Sequence, residues 1–217
     1  MRPPKLRADR FCVTRVLVRP ATPADADPVT ELIVDTPGGL TEILSSREGA
    51  LRVVRRTFLD PASFFGFPHT LVADDEGAVV GEMVRLSGSR WKRLRLRTEV
   101  GMLAAGGPRV AWRLTWRGSV AGSAMAPIPD DVLYVASLSV AAASRGRGIG
   151  TELLRWAAQE AREARLRSVA VDVAYSNEAA IRFYVREGFS VPTDRRHQTA
   201  QWLPAGGSIR MERPVSG

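Results

Sequence analysis

The chain has 217 residues, of which 45% are hydrophobic and 25% are charged, enough for one sizeable domain or two small ones. It contains no run near the ~20 apolar residues that a membrane helix requires, and its first residues lack the apolar stretch of a signal peptide. Cys12 is the single cysteine, which excludes an internal disulfide and a cysteine-rich zinc site. His69 and His197 are the only histidines, which disfavours a metal-centred enzyme, and we expect a cytoplasmic location.

The overall charge is basic, since 31 lysines and arginines face 23 acidic residues and the formal net charge is +8. Such a charge can attract nucleic acid, an anionic membrane or a phosphorylated ligand. Lys5 and Lys92 are the only lysines, so arginine supplies nearly all of the positive charge. A compositional bias toward arginine explains this better than a dedicated nucleic-acid surface, and a nucleic-acid partner is disfavoured.

The N-terminal part of the chain predicts one strand and two helices. Residues 1–12 are expected to form a flexible basic tail. Alternating β-branched residues predict a strand over 13–19. Capping residues and a proline suited to a first helical turn predict a helix over 21–35. Apolar residues three or four apart predict a second helix within 39–60.

A hairpin and a basic insert follow. Residues 69–86 have two apolar arms that meet at the polar sequence DDEG, which is typical of a β-hairpin. An insert of about residues 89–130 separates this hairpin from the next strand. Over residues 89–117 it holds eight cationic side chains and one acidic residue, Glu99. We predict two short helices there, joined at the sequence AAGGP over 104–108.

The second half of the chain alternates strands and helices. Its predicted elements are a strand over 131–140, a helix over 148–165, a buried strand over 167–174, a helix over 176–188, and closing strands over 188–198 and 208–215. The helix over 176–188 is expected to end at Gly188. The order of elements predicts a mixed α/β layer with helices on both faces of the sheet.

The sequence RGRGIG at 145–150 lies between a predicted strand and a predicted helix. The first N–H groups of a helix lack backbone partners, and the helix dipole places partial positive charge there. Glycines allow an anion to approach the backbone closely, and the two arginines add charge suited to phosphate oxygens. The segment therefore predicts a phosphate site, although a plain glycine-rich turn would have a similar composition.

The spacing of these glycines argues against two common nucleotide motifs. A P-loop requires Gly-Lys-Ser/Thr, but Gly150 is followed by Thr151 with no lysine nearby. A dinucleotide fingerprint requires G-x-G-x-x-G soon after the first strand. Here the pattern is G-x-G-x-G, and it occurs late in the chain.

Two motifs in order resemble the GNAT superfamily of acyl-CoA-dependent N-acyltransferases. The strand end at 138–140 and the RGRGIG loop resemble the family's R/Q-x-x-G-x-G/A signature. The segment from Asn177 to Phe189 resembles its N-x-x-A-x-x-x-Y-x-x-x-G-F helix, and the sequence VRPATPADADPVTELI resembles its opening strand and helix. The resemblance covers most of the chain and is specific over about 134–189.

The resemblance implies one N-acyltransferase domain over 13–217, with a mixed and mostly antiparallel sheet, helices on both faces and a helical insert before the central strand. The CoA-binding core would span about 132–190. The strand edge at 138–140 would pair with the pantetheine arm and the glycine loop would hold the pyrophosphate. Asn177 would form a hydrogen bond to the arm, with Ala180 and Phe183 packed beside it. The implied cofactor-binding residues are Leu138, Ser139, Val140, Arg145, Gly146, Arg147, Gly148, Ile149, Gly150, Thr151, Asn177, Ala180 and Phe183.

The resemblance also implies an N-acetyltransferase that uses acetyl-CoA and no metal. A primary amine would attack the thioester directly, and backbone N–H groups would stabilise the tetrahedral oxyanion. The hydroxyl of Tyr184 would act as the general acid that protonates the leaving thiolate. A Tyr at this place can also be an ordinary core residue with a satisfied hydroxyl.

The general base stays open in the sequence. Many relatives have an acidic or histidine side chain on the central strand where this chain has Ala136. Glu82, Asp130, Asp131 and Tyr134 lie on or beside strands that could face the cleft, and any of them could act through water. Each is also compatible with a purely structural role.

The acceptor is expected to be a small-molecule or peptide amine. Because the insert is basic, we expect an acceptor that also has a carboxylate or phosphate. A homodimer is compatible with the resemblance, and no membrane partner is expected. The alternatives are a non-catalytic CoA-binding or regulatory module of the same fold and, less favoured, a nucleic-acid-binding protein that uses the insert.

Overall fold

A computed structural model describes residues 16–36, 46–113, 128–192 and 208–215 of the chain. Six strands run over Val16–Pro20 (β1), Thr70–Asp75 (β2), Ala78–Ser87 (β3), Val132–Val140 (β4), Ser168–Ala174 (β5) and Ser208–Pro214 (β6). Five α-helices run over Ala26–Val34 (α1), Arg47–Leu59 (α2), Gly88–Arg113 (α3), Ile149–Glu163 (α4) and Glu178–Arg186 (α5). The predicted tail over 1–12 and the predicted strand residues 13–15 lie outside the described residues.

The strands form one six-stranded sheet in the order β1-β2-β3-β4-β5-β6. Every neighbouring pair is antiparallel except β4 and β5, which are parallel. A parallel pair needs a long crossover connection, and α4 supplies it here. The structure therefore confirms the expected single α/β domain with a mixed, mostly antiparallel sheet.

The apolar core lies on both faces of this sheet. On one face, α4 and α5 pack on residues such as Leu71, Met83 and Val135. On the other face, α1, α2 and α3 pack on Val72 and Val84. The prediction of helices on both faces is confirmed. We call the face under α1, α2 and α3 the α1 face.

The sequence of α4 explains why it forms and how it packs. Its buried residues recur every three or four positions: Ile149, Leu153, Leu154, Ala157, Ala158 and Ala161. This spacing places one continuous apolar stripe against the sheet. The stripe fixes where the N-terminus of the helix lies, at the end of β4.

The predicted hairpin is confirmed, with its turn at Glu76 and Gly77. Both residues have positive φ, 54° and 93°, as the type I′ turn favoured between antiparallel strands requires. The carboxylate of Asp74 accepts a hydrogen bond from the Gly77 N–H at 2.6 Å. The turn pairs β3, which carries Glu82, with β2.

The insert departs from the prediction of two short helices joined at 104–108. A single helix, α3, runs through that segment to Arg113. Its packed residues Trp91, Leu94, Met102 and Ala105 contact the α1-face core at helical spacing, so packing extends into the predicted break. Residues 114–127 lie outside the described part of the chain.

The predicted closing strand over 188–198 is not a strand where the structure describes it. Ser190 makes one isolated antiparallel bridge with Glu212, and residues 193–198, which include His197, lie outside the described ranges. In the described part of the chain the sheet ends with β6, whose pairing with β5 runs over the full length of both strands.

A buried ion pair joins β5 to β6 on the α1 face. Arg210, only 1% exposed, donates from Nε and Nη2 to the two carboxylate oxygens of Asp172 at 2.9 and 2.8 Å. The Tyr134 hydroxyl donates to the same carboxylate at 3.1 Å. These bonds offset the cost of burying the charges.

We expect Arg210→Met to lower the free energy of unfolding by about 3–5 kcal/mol, because it leaves the Asp172 carboxylate buried without its cation. Adding Asp172→Asn should restore part of that loss, since the uncompensated charge is then gone. Chemical denaturation of the two single variants and the double variant measures both effects. A double variant as unstable as the sum of the two single ones would contradict this account.

Candidate active site

The strands β4 and β5 separate at one point of the sheet. Their parallel pairing ends at Val135 opposite Val171, although β4 continues to Val140 and β5 to Ala174. On the other side of β4, Val84 pairs with Ser137 while Arg85 pairs with Val135. Ala136 is therefore the extra residue of a β-bulge, which bends a strand and disrupts its ladder. Beyond the bulge the edges of β4 and β5 are open toward each other.

An open cleft of about 220 Å³ lies where the two strands separate. Its described lining is Ile33, Thr36, Phe65, Val135, Ala136, Ser137, Leu138, Val171, Asp172, Val173, Ala174, Asn177, Ala180 and Tyr184. The lining comes from α1, β4, β5 and α5, together with the segment before β2. Asp172 is the one charged side chain among these described lining residues.

The glycine loop lies just beyond the end of β4. Gly146 and Gly148 have φ of 78° and 79°, and a Cβ built on either would meet no atom within 4 Å. Both conformations favour glycine strongly, and the space beside them is open. Gly148 is the N-cap of α4 and has no side chain to cap it. The N–H groups of the first turn of α4 are therefore available to an anion.

The third glycine of the motif acts through packing. A Cβ on Gly150 would lie 3.0 Å from the ring of Phe183. Gly150 thus allows α4 and α5 to approach each other closely. Phe183, expected beside the pantetheine arm, is not among the described cleft-lining residues and packs instead on Gly150 and against Tyr184.

The side chains of Arg145, Arg147 and Thr151 in the loop form hydrogen bonds or ion pairs with other residues of the protein. Arg145 Nε donates to the carbonyl of Val140 at 3.1 Å, and Arg147 forms an ion pair with Asp75 at 2.8 Å. Thr151 donates to Glu187 at 2.6 Å. Exposed ion pairs contribute at most about 1 kcal/mol, so a phosphate could displace Asp75 from Arg147 at little cost.

The predicted strand-edge residues of β4 lie on both faces of the sheet. Leu138 lines the cleft, and both it and Val140 pack on the core under α4. The Ser139 hydroxyl is 3.2 Å from that of Thr36 at the end of α1. Ile149, the first residue of α4, has its side chain buried in the core.

Asn177 and Ala180 lie at the start of α5. The Asn177 Oδ1 accepts the N–H of Ala180 at 3.1 Å and caps the helix, which is the usual role of asparagine at this position. Both residues line the cleft. Since Oδ1 is used in the cap, the Asn177 amide nitrogen is the group that can donate to a ligand.

Tyr184 lies one turn further along α5 and is 5% exposed. Its ring packs between Phe183 and Phe189, and its side chain lines the cleft. Burial, and to a smaller extent the charge of Glu82, raise the pKa of Tyr184 well above its ordinary value. The hydroxyl is therefore protonated at neutral pH and can donate a proton.

Glu82 lies on β3, next to β4, and does not itself line the cleft. It is fully buried, and its Oε1 is 2.6 Å from the hydroxyl of Ser137, which lines the cleft. Its Oε2 has no hydrogen-bond partner in the described part of the chain. Burial raises the pKa of Glu82 to about 8, and the Ser137 hydrogen bond lowers it by less.

The other candidate bases have structural partners. Asp130 pairs with Lys92 at 3.0 Å and Asp131 with Arg167 at 3.1 Å, and both carboxylates are more than half exposed. The Tyr134 hydroxyl is bonded to Asp172, and burial raises its pKa. None of these three is among the residues that line the cleft.

His69 is a buried residue that does not line the cleft. Burial, and to a smaller extent the charges of Arg90 and Arg85, lower its pKa to about 4. It is therefore neutral at physiological pH.

Ser137 and Asp172 are cleft residues that sequence reasoning did not assign. In VLYVASLSV the serines at 137 and 139 interrupt an apolar strand two residues apart, so both point to one face. That pattern was the available signal for a polar surface on β4. The bulge that brings Ser137 to Glu82 has no comparable signal in the amino-acid sequence.

No group of three or more histidine, cysteine or acidic side chains that could hold a metal occurs in the ranges that the structure describes. Within the same ranges, no helix is both long and apolar enough to span a bilayer.

Solved structures share this fold at low sequence identity. An N-acetyltransferase from Staphylococcus aureus Mu50 has a TM-score of 0.67 at 20% identity, with 90% of this chain and 99% of that chain covered. The PaiA N-acetyltransferase from Thermoplasma acidophilum, in complex with coenzyme A, has a TM-score of 0.55 at 12% identity, covering 93% and 99%. A chain of the NatC complex bound to Gag peptide and CoA has a TM-score of 0.55 at 15% identity, covering 94% and 100%.

No curated protein matches the chain. The family model for the acetyltransferase (GNAT) family matches residues 47–189, which include β4, the glycine loop, α4, β5 and α5. The match covers well over half of the sequence and agrees with the fold. The chain therefore belongs to the GNAT family of acetyltransferases.

Proposed function

We propose that this protein is an N-acetyltransferase that transfers an acetyl group from acetyl-CoA to a primary amine. One observation supports this most directly. The open edges of β4 and β5 lead from the uncapped N-terminus of α4 to a cleft lined by Tyr184. A helix end suited to phosphate, an open strand edge and a proton donor thus occur at the end of β4 and in the cleft beside it.

Acetyl-CoA suits the glycine loop and the adjoining edge of β4 as the donor substrate. The glycine loop from Arg145 to Thr151 would bind the pyrophosphate through backbone N–H groups, with open space beside Gly146 and Gly148. The edge of β4 over 138–140 would pair with the amide-rich pantetheine arm like an added strand. The Asn177 amide would donate to the same arm. The PaiA and NatC structures contain coenzyme A on the same fold.

The chemistry requires three contributions from the protein. It must remove a proton from the amine, stabilise the oxyanion formed on attack at the thioester carbonyl, and protonate the leaving thiolate. The backbone N–H groups at the open edge of β4 are suited to the oxyanion. The protonated Tyr184 hydroxyl is suited to the thiolate.

The described lining of the cleft offers an acceptor hydroxyl groups and no uncompensated charge. Ser137 and Thr36 supply the hydroxyls, and Arg210 balances the charge of Asp172, the one charged side chain among the described lining residues. The cations of α3 do not line the cleft where the structure describes them, and Lys92, Arg95 and Arg97 are paired with acids. A carboxylate or phosphate on the acceptor therefore finds no cationic partner among the described lining residues.

A panel of small primary amines and short peptides, assayed for free thiol released from acetyl-CoA, tests the proposal. We expect acetyl-CoA to bind and at least one amine to give thiol release above the hydrolysis blank. Binding of acetyl-CoA with no turnover over the whole panel would favour a non-catalytic CoA-binding module. Absence of both binding and turnover would refute the proposal.

We expect Tyr184→Phe to lower kcat by roughly 100-fold or more, the usual contribution of a positioned proton donor. The KM for acetyl-CoA should change little, because the ring and its packing remain. Steady-state kinetics measure both constants, and Tyr175→Phe is the control, since that residue does not line the cleft. Full activity in Tyr184→Phe would remove the assigned acid.

We expect Gly148→Ala to weaken binding of CoA by tenfold or more, because a methyl group would fill the open space beside the loop. The positive φ of 79° should also lower the unfolding free energy by about 1–2 kcal/mol. Calorimetric titration with CoA and thermal unfolding measure the two effects. Gly101→Ala, in α3 with no atom near its built Cβ, should leave CoA affinity unchanged; equal affinity in both variants would argue against this phosphate site.

A further inference from the structure

We propose that Glu82, acting through the hydroxyl of Ser137, is the proton acceptor for the substrate amine. This inference rests on the acetyltransferase function proposed above. In this arrangement Ser137 touches the substrate, and Glu82 receives the proton from behind it.

The positions of the two residues fit such a relay. Ser137 lines the cleft directly after the bulge at Ala136. Behind it, the carboxyl of Glu82 lies 2.6 Å from the Ser137 oxygen and is completely buried. A hydroxyl in this position can accept a proton from a group in the cleft while it donates its own to the carboxylate.

The carboxyl of Glu82 is costly as a structural element. A buried polar group without a partner destabilises a fold by about 1–3 kcal/mol, and Oε2 is such an atom within the described residues. The second buried acid, Asp172, differs because Arg210 and Tyr134 satisfy it. A destabilising acid beside a cleft, with a free oxygen, indicates a functional role more than a structural one.

The groups around Glu82 set how it titrates. Ser137 on β4 bonds to it, and Tyr184 on α5 interacts with it through charge. The acids of α1 face away, because Asp27, Glu31 and Asp35 are exposed in ion pairs with arginines of α2. No cation contributes to its pKa, which burial raises to about 8. Glu82 is thus mostly protonated at pH 6 and mostly ionised at pH 9.

The proton balance closes with the residues of the cleft. The ammonium gives one proton to the Ser137 oxygen as the Ser137 proton moves to Glu82. The amine nitrogen then bonds to the thioester carbonyl carbon, the C–S bond breaks, and the sulfur takes the Tyr184 proton. The nitrogen then gives its second excess proton to the Tyr184 oxygen, which restores the hydroxyl. The proton on Glu82 returns to solvent. The products are an amide, free CoA thiol and one released proton.

The test compares kcat/KM of the full-length protein and its Glu82→Gln variant from pH 6 to 9.5, with one amine. The ratio of the two profiles cancels the titration of the amine itself. We expect kcat/KM of the unaltered protein divided by kcat/KM of Glu82→Gln to rise about tenfold per pH unit up to about pH 8 and then to level off. At the plateau we expect a loss of roughly 100-fold or more in the variant.

Matched variants separate the relay from general disturbance of the site. Ser137→Ala should reproduce the pH-dependent loss. Thr30→Val, which removes another buried hydroxyl without a partner on α1, should leave the profile unchanged. A ratio that does not change with pH in an active enzyme would overturn the relay alone. No turnover in the unaltered protein would overturn the proposed function together with it.

Stability provides a second measurement that does not depend on turnover. In the folded protein the pKa of Glu82 is raised from 4.5 to about 8. The carboxyl is therefore least destabilising below pH 4.5, and the free energy of unfolding falls as the pH rises from there to about 8. The free energy of unfolding should therefore fall more between pH 5 and 9 in the unaltered protein than in Glu82→Gln. Parallel curves would show that Glu82 does not titrate as the relay requires.

Discussion

The separation of β4 from β5 is the constraint on which the site depends. Parallel strands that stayed paired to their ends would leave no open edge and no cleft. The extra residue Ala136 ends the pairing at Val135, while the apolar stripe of α4 holds the two strands together below that point. The same bulge turns Ser137 toward Glu82. One inserted residue thus produces the opening and also places the polar groups within it.

Two buried acids on this sheet, Asp172 and Glu82, have different surroundings. Asp172 accepts three hydrogen bonds and lies directly opposite its arginine in the register of β5 and β6. Its charge is balanced inside the protein, and it holds the closing strand in place. Among the residues that the structure describes, Glu82 has one hydrogen bond and no cationic partner, so its charge state depends on the surrounding pH. The fold is stabilised by the first acid and destabilised by the second.

The sequence predicted the order of elements, the sheet type and the position of the glycine loop, because hydrophobic periodicity and glycine spacing are local signals. It failed where long-range packing decides. Pro108 and its neighbouring glycines suggested a break in the insert, whereas α3 runs on to Arg113, and Met102 and Ala105 pack on the core as the helix enters that segment. The base could not be chosen from four candidates, since burial and the bulge are invisible in sequence. Ala136 looked like a missing base, and in the structure it is the residue that brings Ser137 to an acid on the neighbouring strand.

The contact between Gly150 and Phe183 fixes the first turn of α4 relative to Tyr184 on α5. Gly150 belongs to the first turn of α4, and Phe183 precedes Tyr184 on α5. With only 3.0 Å between the ring and the place of a Cβ, the helices interlock, and the hydroxyl of Tyr184 has a set position relative to the anion-binding turn. For the proposed donor, this fixed spacing would set how far apart its phosphates and its sulfur can be bound.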